Sequence, residues 1–314
     1  MAEGPTKHDG DTVKMVATAV LTSGQVVQTP DSRAAVYNGL RACEIGDYVA
    51  LNTGGVRPVA KTANIAFLPG QEVWWNRTTN LATYRLAGDF FVGIATAGAA
   101  ATASVVDTAM NKAPNYIVDT AQRTGEWTIE ATLGLGVLET LGGLVTLAFD
   151  AVAEVAQAAL FSIRSVNVDE HPIMEVEVAV FDIGDNAALD INIGLADGSH
   201  ATNFDTVSDY AAFHLDGTDL TLKTQTDDTV TPVAADDSGV DLVDDTFAFL
   251  QIDARDKANV KFYANGVQLN SAAVFHLNAS VADLLAIIHL EKTSDDTVAD
   301  VRMRRMTLRS SVSA

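Results

Sequence analysis

One cysteine, Cys43, stands in a chain of 314 residues. That excludes an intrachain disulfide framework and a multi-cysteine metal centre, and it fits assembly in a reducing cytoplasm. With no identifiable partner base, Cys43 reads as a small buried residue. Long apolar runs are missing too. The most apolar region, Ala131–Phe161, is broken by Glu139, Asp150 and Glu154, short of the ~18 uninterrupted apolar residues of a membrane span. The opening Met-Ala-Glu-Gly-Pro-Thr-Lys-His-Asp-Gly-Asp has no apolar core, so it does not read as a secretory signal. Basic residues are scarce, with 20 Lys+Arg against 41 Asp+Glu and a net charge of −21. Extended Lys/Glu/Leu helical patterns are nearly absent, whereas Gly, Ala, Val, Thr and Asp are frequent, a composition that favours strands and turns.

The charge is divided unevenly. Residues 1–124 hold 10 basic and 10 acidic residues, and residues 125–314 hold 10 basic and 31 acidic ones. One part is neutral and the other carries the whole excess. A region that acidic is repelled by nucleic acid and anionic membranes and stays soluble at high local concentration. A plain solvated surface, or adaptation to a salty habitat, explains the same composition. At more than twice the usual ~100–150 residues, two domains are expected.

The hydrophobic fraction of 48% is enough for real cores. The stretch that organises the first part is Pro69-Gly-Gln-Glu-Val-Trp-Trp-Asn76, running on to Gly88-Asp-Phe-Phe-Val-Gly-Ile-Ala95. It reads as strands Val73–Trp75 and Phe90–Ala95 joined by a polar turn region around Asn76–Asn80. Successive side chains on a strand point opposite ways. Trp74 and Trp75 therefore put one indole into a core and the other on an outer face that a neighbouring chain can cover. Trp74, Trp75, Asn76, Phe90 and Phe91 are the candidate interface residues.

Further strands are expected at Val13–Leu21, Gln25–Gln28, Arg33–Asn38, Tyr48–Asn52, Val56–Ala60 and Ala103–Asp107. Glycine turns at this short spacing indicate a small barrel or sandwich. Residues 1–12 read as a flexible arm and 13–110 as the first domain. Residues 111–124, with Pro114 and no periodicity, read as a linker, and 125–314 as the second domain.

In the second domain, Trp127–Thr132, Leu144–Phe149, Ala158–Arg164 and Met174–Phe181 alternate. Glu175 and Glu177 share one face of the last of these, which reads as a half-exposed antiparallel strand. Leu189–Leu195, Ala211–His214, Leu220–Thr224, Phe247–Asp253, Val260–Ala264, Ile287–Glu291 and Asp300–Leu308 continue the series. Asn265-Gly266 marks a tight hairpin. The one helix candidate is Ser280–Ile288, with Ser280 as N-cap and Asp283 in the capping-box position. Its Leu-Ala-Ile-Ile-His-Leu also alternates, so a strand stays open there. Ten or more such strands suggest a double-sheet jelly roll.

Two resemblances arise from these residues. The ordered pieces Ser23-Gly24-Gln25-Val-Val27, Ile45-Gly-Asp-Tyr-Val49, Gly55-Val56, Pro69–Asn76 and Phe91-Val-Gly-Ile-Ala95 make the region from Val13 to Asp107 similar to the capsid decoration (cement) proteins of tailed phages. This chain departs from them in carrying a second domain about twice as long as the first. The segments Lys261-Phe-Tyr-Ala-Asn-Gly-Val267 and Leu290-Glu-Lys-Thr-Ser294, closing with Val301–Leu308, make the second domain similar to concanavalin-like sandwiches. Together they imply an all-β fold: a small β-barrel or β-sandwich decoration domain, then an antiparallel jelly roll.

The cement-protein resemblance implies a structural virion protein, made in the bacterial cytoplasm, that stabilises the capsid from its outer surface. Its implied partners are the major capsid protein and sister subunits in a homotrimer, with neither nucleic acid nor membrane. The alternative is a carbohydrate-binding or adhesive module that holds a host-surface glycan.

Catalysis is not expected. The pairs Asp227-Asp228, Asp236-Asp237, Asp244-Asp245 and Asp295-Asp296 sit in turn-like segments, where Asp caps backbone groups. Fold alone cannot choose among sugar binders, glycosidases and inert modules. Asp182-Ile-Gly-Asp-Asn186 and Asp216-Gly-Thr-Asp219 offer hard oxygens to calcium but lack EF-hand spacing, and no metal ligand or cofactor is assigned. His8, His171, His200, His214, His276 and His289 are scattered and read as surface or satisfied core positions. Arg302, Arg304, Arg305 and Arg309 read as neutralising neighbouring carboxylates.

Overall fold

The computed structural model describes residues 12–119, 127–132, 137–141 and 144–310. It divides into two compact units, residues 1–115 and 116–314. Among the described residues the regular structure is strand, with three single-turn 3-10 helices at Arg85–Ala87, Val168–Glu170 and Phe204–Thr206.

The first unit begins with β1 (Thr12–Val16), β2 (Val26–Gln28), β3 (Ala34–Tyr37) and β4 (Tyr48–Asn52), ordered β1-β4-β3-β2 in one antiparallel sheet. A second sheet is built from β5 (Val56–Ala60), β6 (Glu72–Asn76), β7 (Leu81–Thr83), β8 (Phe90–Ala95) and β9 (Val105–Met110), ordered β5-β9-β8-β6-β7. The expected turn at Asn76–Asn80 leads into the short β7, which pairs with one edge of β6, and β8 pairs with the other.

Alternation along β3 divides its four buried side chains between two clusters. Ala34 and Val36 join Val73, Trp75, Phe90, Val92 and Val106, while Ala35 and Tyr37 join Leu21, Cys43, Val49 and Leu51. β3 pairs with β4 only at Val36 and Tyr37, which leaves its first residues short of ladder bonds on that side. Asn111 supplements β3: its side chain accepts from Ala34 N at 2.8 Å and donates to the carbonyls of Ala34 and Thr53 at 2.8 and 2.7 Å. This residue falls within the segment read as linker.

The second unit runs β10 (Val118–Asp119), β11 (Trp127–Thr132), β12 (Val137–Leu141), β13 (Leu144–Phe149), β14 (Glu154–Ser162), β15 (Val166–Asn167), β16 (Pro172–Asp182) and β17 (Leu189–Ala196). It continues with β18 (Asp209–Asp216), β19 (Thr221–Asp228), β20 (Val233–Asp241), β21 (Ala248–Asp253), β22 (Lys261–Ala264), β23 (Val267–Gln268), β24 (Asp283–Asp295) and β25 (Ala299–Ser310). One sheet is ordered β12-β13-β25-β16-β21-β22-β23, with β10 also on β25. The other is ordered β11-β14-β24-β17-β18-β19-β20, with β15 also on β24. Their inward residues, among them Met174, Val176, Val178, Ile191, Ile193, Ile288 and Leu290, form one core. Within it Phe213, Phe262 and Phe275 stack edge-to-face, with centroids 5.2 Å apart at each step.

Three expectations change. Ser280–Ile288 is not a helix: Asp283 opens the long strand β24, whose Leu284, Ala286, Ile288 and Leu290 all enter the core. Burial at period 2 outweighs a capping signal, and Ser280 Oγ instead accepts from Ala282 N. β16 is not half-exposed, because Glu175 and Glu177 are buried along with Val176 and Val178. β20 was not apparent because Val-Ala-Ala-Asp-Asp-Ser-Gly-Val-Asp lacks a strand pattern. It is a mostly exposed edge strand held by its main chain, and its acids suit an edge that must not pair further. Val118 and Asp119, also read as linker, pair with Leu308 and Thr307. The expected arm lies outside the described residues apart from Thr12, as does the linker from residue 120 onward.

Lys61 shows how a buried cation serves the first unit. Burial lowers its pKa, and its ammonium donates to the carbonyls of Ile65, Ala101 and Thr62 at 2.7, 3.1 and 3.4 Å. Lys61→Met strands these acceptors and is expected to lower the stability of this unit by about 1–3 kcal/mol. Urea unfolding followed by the fluorescence of Trp74 and Trp75 measures it; an unchanged midpoint would show that the cage carries no stability.

Candidate functional site

Candidate surfaces lie in each unit. In the first, the two indoles of β6 face opposite ways, as alternation requires. Trp75 is buried with Phe90 in the core, so neither can meet a partner. Trp74 is half-buried on the outer face, edge-on to Phe91 with centroids 5.9 Å apart. Its Nε1 donates to Glu72 Oε2 at 2.8 Å, and the Arg85 guanidinium lies 5.9 Å above its ring. Asn76 is engaged locally: Oδ1 accepts from Thr78 N and Thr79 N at 3.0 and 2.9 Å, and Nδ2 donates to Ala87 O at 2.8 Å. Of the five candidates, Trp74, Asn76 and Phe91 are half-buried, whereas Trp75 and Phe90 are core.

Several exposed apolar side chains of this unit were missed from sequence. Val16 and Tyr48 are register partners at one end of the β1–β4 pair, and both are exposed. Tyr48 is 88% exposed, Ile45 69%, Leu40 fully exposed, and the exposed Val20 lies just before an isolated Leu21–Cys43 bridge. Beside Tyr48 an open concavity of about 540 Å³ is lined by Tyr37, Asn38, Gly39, Arg41, Ala50 and Asn52 among others. Gly39 makes this shape possible. A Cβ there would sit 2.0 Å from Tyr37 Oη, so only glycine lets the chain arch over that ring. Tyr37 Oη in turn donates to Arg41 O at 2.9 Å. Leu40 in a bend, Ile45 in a turn and Tyr48 at the start of β4 share no periodicity that flags them together.

In the second unit, the outward face of the β24–β17–β18–β19 region collects polar groups from scattered sequence positions. Register sets Asn192 between His289 and His214, Asp190 between Glu291 and Asp216, and Lys223 beyond His214. His214 Nδ1 lies 2.9 Å from Asn192 Oδ1 and its Nε2 2.7 Å from Asp216 Oδ1. Gln225 Nε2 donates to Asn192 Oδ1 at 3.1 Å and to Asp205 Oδ1 at 3.2 Å. Burial pushes the pKa of His214 down and that of Asp190 up. Asp190, His214 and Asp216 are close enough to share a cation, but the Lys223 ammonium bonds Asp216 and supplies positive charge there.

Beside this row, residues 197–208 cross the sheet as a strap. Phe204, fully buried, packs with Phe161, Tyr210, Ala212 and Ile287. Both oxygens of Glu291 accept from Phe204 N, at 2.8 and 3.1 Å, and His289 Nε2 bonds His200 O at 2.9 Å. His289 Nδ1 has no hydrogen-bond partner and lies 3.8 Å from Glu291 Oε2. Burial holds the carboxyl up at about 7 and the imidazole down at about 4. Glu291 and Asp190 are a carboxylate pair on one face, but the strap seals Glu291 from any substrate.

The remaining candidates serve structure. Asp228 accepts from Ala279, Thr231 and Val230 N–H groups, which against its burial hold its pKa down to about 2. Asp227, Asp237 and Asp295 cap backbone N–H groups. Asp182 and Asp219 do the same in the two loops considered for calcium. Arg302, Arg305 and Arg309 pair with Asp300, Asp119 and Glu175, and Arg304 stacks over Phe247. No helix among the described residues is long and apolar enough to cross a membrane.

Residues 7–110 match the family described as phage cement protein. No curated protein matches the chain. Among solved structures, the chain is similar to the Emp47p carbohydrate recognition domain at 11% identity, over 62% of this chain and 94% of that one, with a TM-score of 0.44. It is similar to carbohydrate-binding module CBM66 from Bacillus subtilis at 11% identity, over 59% and 96%, with a TM-score of 0.38. Alginate lyase AlgAT5 of polysaccharide lyase family 7 aligns at 12% identity, over 55% and 80%, with a TM-score of 0.37. The sandwich stands on its own sheet order, and these likenesses bear on neither ligand nor activity.

Two predictions follow from the geometry. Trp75→Ala empties the core and is expected to cost about 3–5 kcal/mol, whereas Trp74→Ala costs less than about 2 kcal/mol; urea melts of the two variants separate them. In the second unit the buried pair has opposed titrations. Glu291, raised from 4.5 to about 7, contributes stability that is present below pH 4.5 and lost as pH rises to 7. His289, lowered from 6.5 to about 4, contributes stability that is present above pH 6.5 and lost as pH falls to 4. Between those limits the two slopes cancel, because folding moves one proton from imidazole to carboxyl. His289→Gln is expected to unmask a fall with rising pH, and Glu291→Gln a rise, each up to about 1.4 kcal/mol per pH unit. Denaturation at stepped pH reads the slopes; parallel curves for both variants would refute the pairing.

Proposed function

We propose that this chain, whose residues 7–110 match the phage cement proteins, is a non-enzymatic head decoration protein on the outer surface of a tailed-phage capsid. The family match carries this reading, and the shape and charge of the first unit support it. A protein that ties capsomers together needs an apolar surface to dock, and Leu40, Ile45, Tyr48, Val16 and Val20 provide one. Such side chains are worth about 1.5–3 kcal/mol each when fully buried.

The partner at this surface is the major capsid protein. Trp74 and Phe91, on the outer face of the other sheet, are the contact toward sister copies. Three copies on one particle would act with avidity, so modest individual contacts suffice. Contacts between copies belong to the neutral first part, because residues 125–314 carry the entire net charge of −21 and repel their like. The acidic sandwich then projects from the shell and keeps particles apart in solution.

The test uses empty heads and the full chain. Tyr48→Asp and Leu40→Asp alter exposed side chains, so the fold should change by no more than about 0.5 kcal/mol. Affinity for heads should fall by about 30-fold, the effect of losing an interface anchor. Trp74→Ala should instead lower the trimer fraction measured by light scattering. Unchanged head occupancy by both Asp variants would overturn the docking assignment.

A further inference from the structure

The dipeptide Asn-Gly occurs twice in the chain, and the fold treats the two copies differently. Asn265-Gly266 is the hairpin turn between β22 and β23. Its backbone is left-handed at both positions, with φ of 50° and 79°, as a two-residue hairpin requires. Phe249 clamps it: Asn265 N donates to Phe249 O at 2.7 Å, and Asn265 Oδ1 accepts from Phe249 N at 3.0 Å. Gly266 is buried. Asn38-Gly39 has none of these restraints. It follows β3 as irregular chain, with Asn38 exposed and Gly39 half-buried. Among the described residues, neither the Asn38 carboxamide nor the Gly39 N–H has a hydrogen-bond partner.

We propose that Asn38 is a spontaneous modification site: its side chain deamidates through Gly39, and the resulting carboxylate weakens docking of the first unit. The chemical step depends on this chain alone, whereas the loss of docking rests on the decoration reading above.

The step needs water and no other reactant. The Gly39 nitrogen loses its proton to hydroxide, and the electron pair left behind forms a bond to Asn38 Cγ. The Cγ–Nδ2 bond then breaks, and the amide nitrogen takes a proton from water and leaves as ammonia, which regenerates the hydroxide. A cyclic imide remains. Water adds to one of its two carbonyls, the ring C–N bond at that carbon breaks, and a proton returns to the Gly39 nitrogen. Opening at Cγ gives aspartate, and opening at the main-chain carbonyl gives isoaspartate. The sum exchanges NH2 for OH, with one water consumed and one ammonia released.

A side chain on the residue after the asparagine would hinder this approach, and glycine has none. Here the fold itself demands the glycine, because a Cβ at position 39 would sit 2.0 Å from Tyr37 Oη. Nothing comparable holds the asparagine. The pair therefore joins a glycine that the fold needs to an amide that it leaves free. At Asn265 the same attack must first break the Phe249 clamp on a paired turn.

The product acts where the apolar side chains stand. Asn38 lines the concavity beside Tyr48, together with Arg41 and Asp47, whose charges offset each other. An ordinary carboxylate is ionised at neutral pH, so conversion leaves an excess negative charge there. A partner that covers Leu40 and Tyr48 must then bury that charge, which is costly without a counter-ion. Isoaspartate also lengthens the main chain by a methylene between two held points. Tyr37 is fixed by Gly24 N and Gln25 O at 2.7 and 3.0 Å, and Arg41 O by Tyr37 Oη at 2.9 Å. Either product disturbs the arch that carries Leu40, so fresh subunits dock and aged free ones lose affinity.

The full-length chain is held in warm, mildly alkaline buffer, and peptide mapping by mass spectrometry follows the NH2-to-OH exchange at both sites. Asn38 should convert at least about tenfold faster than Asn265. Asn38→Gln, which must close a larger ring, should stay unmodified at that position. Aged wild type should bind empty heads at least about tenfold more weakly than fresh wild type. Aged Asn38→Gln should match its own fresh form, and fresh Asn38→Asp should already be weakened. An unchanged Asn38, or equal conversion at the two sites, overturns the modification. Conversion with docking unchanged, where Tyr48→Asp does weaken docking, overturns the switch alone. Should Tyr48→Asp leave docking unchanged as well, the docking assignment falls and the switch with it, while the mapping still decides the chemical step.

Discussion

Both faces of the second unit's two sheets need cover, and much of its structure answers that constraint. An antiparallel sheet with one wet face is the usual economy. Here β16 has its whole central run buried, and β24 and β17 are nearly as enclosed. The inward faces meet each other in a single core. The outward faces are closed by two different means.

On the β25–β16–β21 face the cover is ionic. Glu175 lies 2.7 Å from Arg309 and accepts from Gln251 at 3.1 Å. Arg305 forks onto Asp119 at 2.9 and 2.7 Å beneath the Tyr116 ring. Long side chains lying flat on a sheet bury one another and keep their charges paired. Removing one partner of such a pair is costly, although an apolar replacement of the whole set need not be. This explains how a chain with a net charge of −21 keeps several of its few arginines away from the surface. On the β24–β17–β18 face the cover is the strap, an apolar ring pinned by a carboxyl and an imidazole. There burial disfavours the charged form of each group, the carboxylate of Glu291 and the imidazolium of His289, where an ion pair would keep both charges.

The first unit has the opposite character. Its outer surfaces keep Leu40, Ile45 and Tyr48 in solvent while a buried lysine and one asparagine bind its loops and short strands. Exposed apolar side chains on a neutral unit are thus joined in one chain to a unit that carries the whole net charge.

Most of the strand plan was legible in sequence, for reasons visible in particular residues. Period-2 patterns such as Tyr48–Asn52 and Leu144–Phe149 became strands with the expected bounds, and the opposite facing of Trp74 and Trp75 follows from strand geometry alone. The family likeness lay in the same ordered residues. The surroundings of the five singled-out residues were only partly legible: Trp75 and Phe90 are core, Asn76 bonds within its own turn, and the exposed Leu40 and Ile45 lie in bends and turns without a pattern.

Sequence alone therefore determined the β character, the two-part division of charge and which residues share a strand face, because these depend on neighbours along the chain. Tertiary structure decided what covers each face. Nothing local tells Glu175 that Arg309 will lie against it, or places His289, Glu291 and Phe204 together across 87 residues of chain. The stability of a buried polar group depends on its partners in space, and those come from strand order, which alternation does not encode.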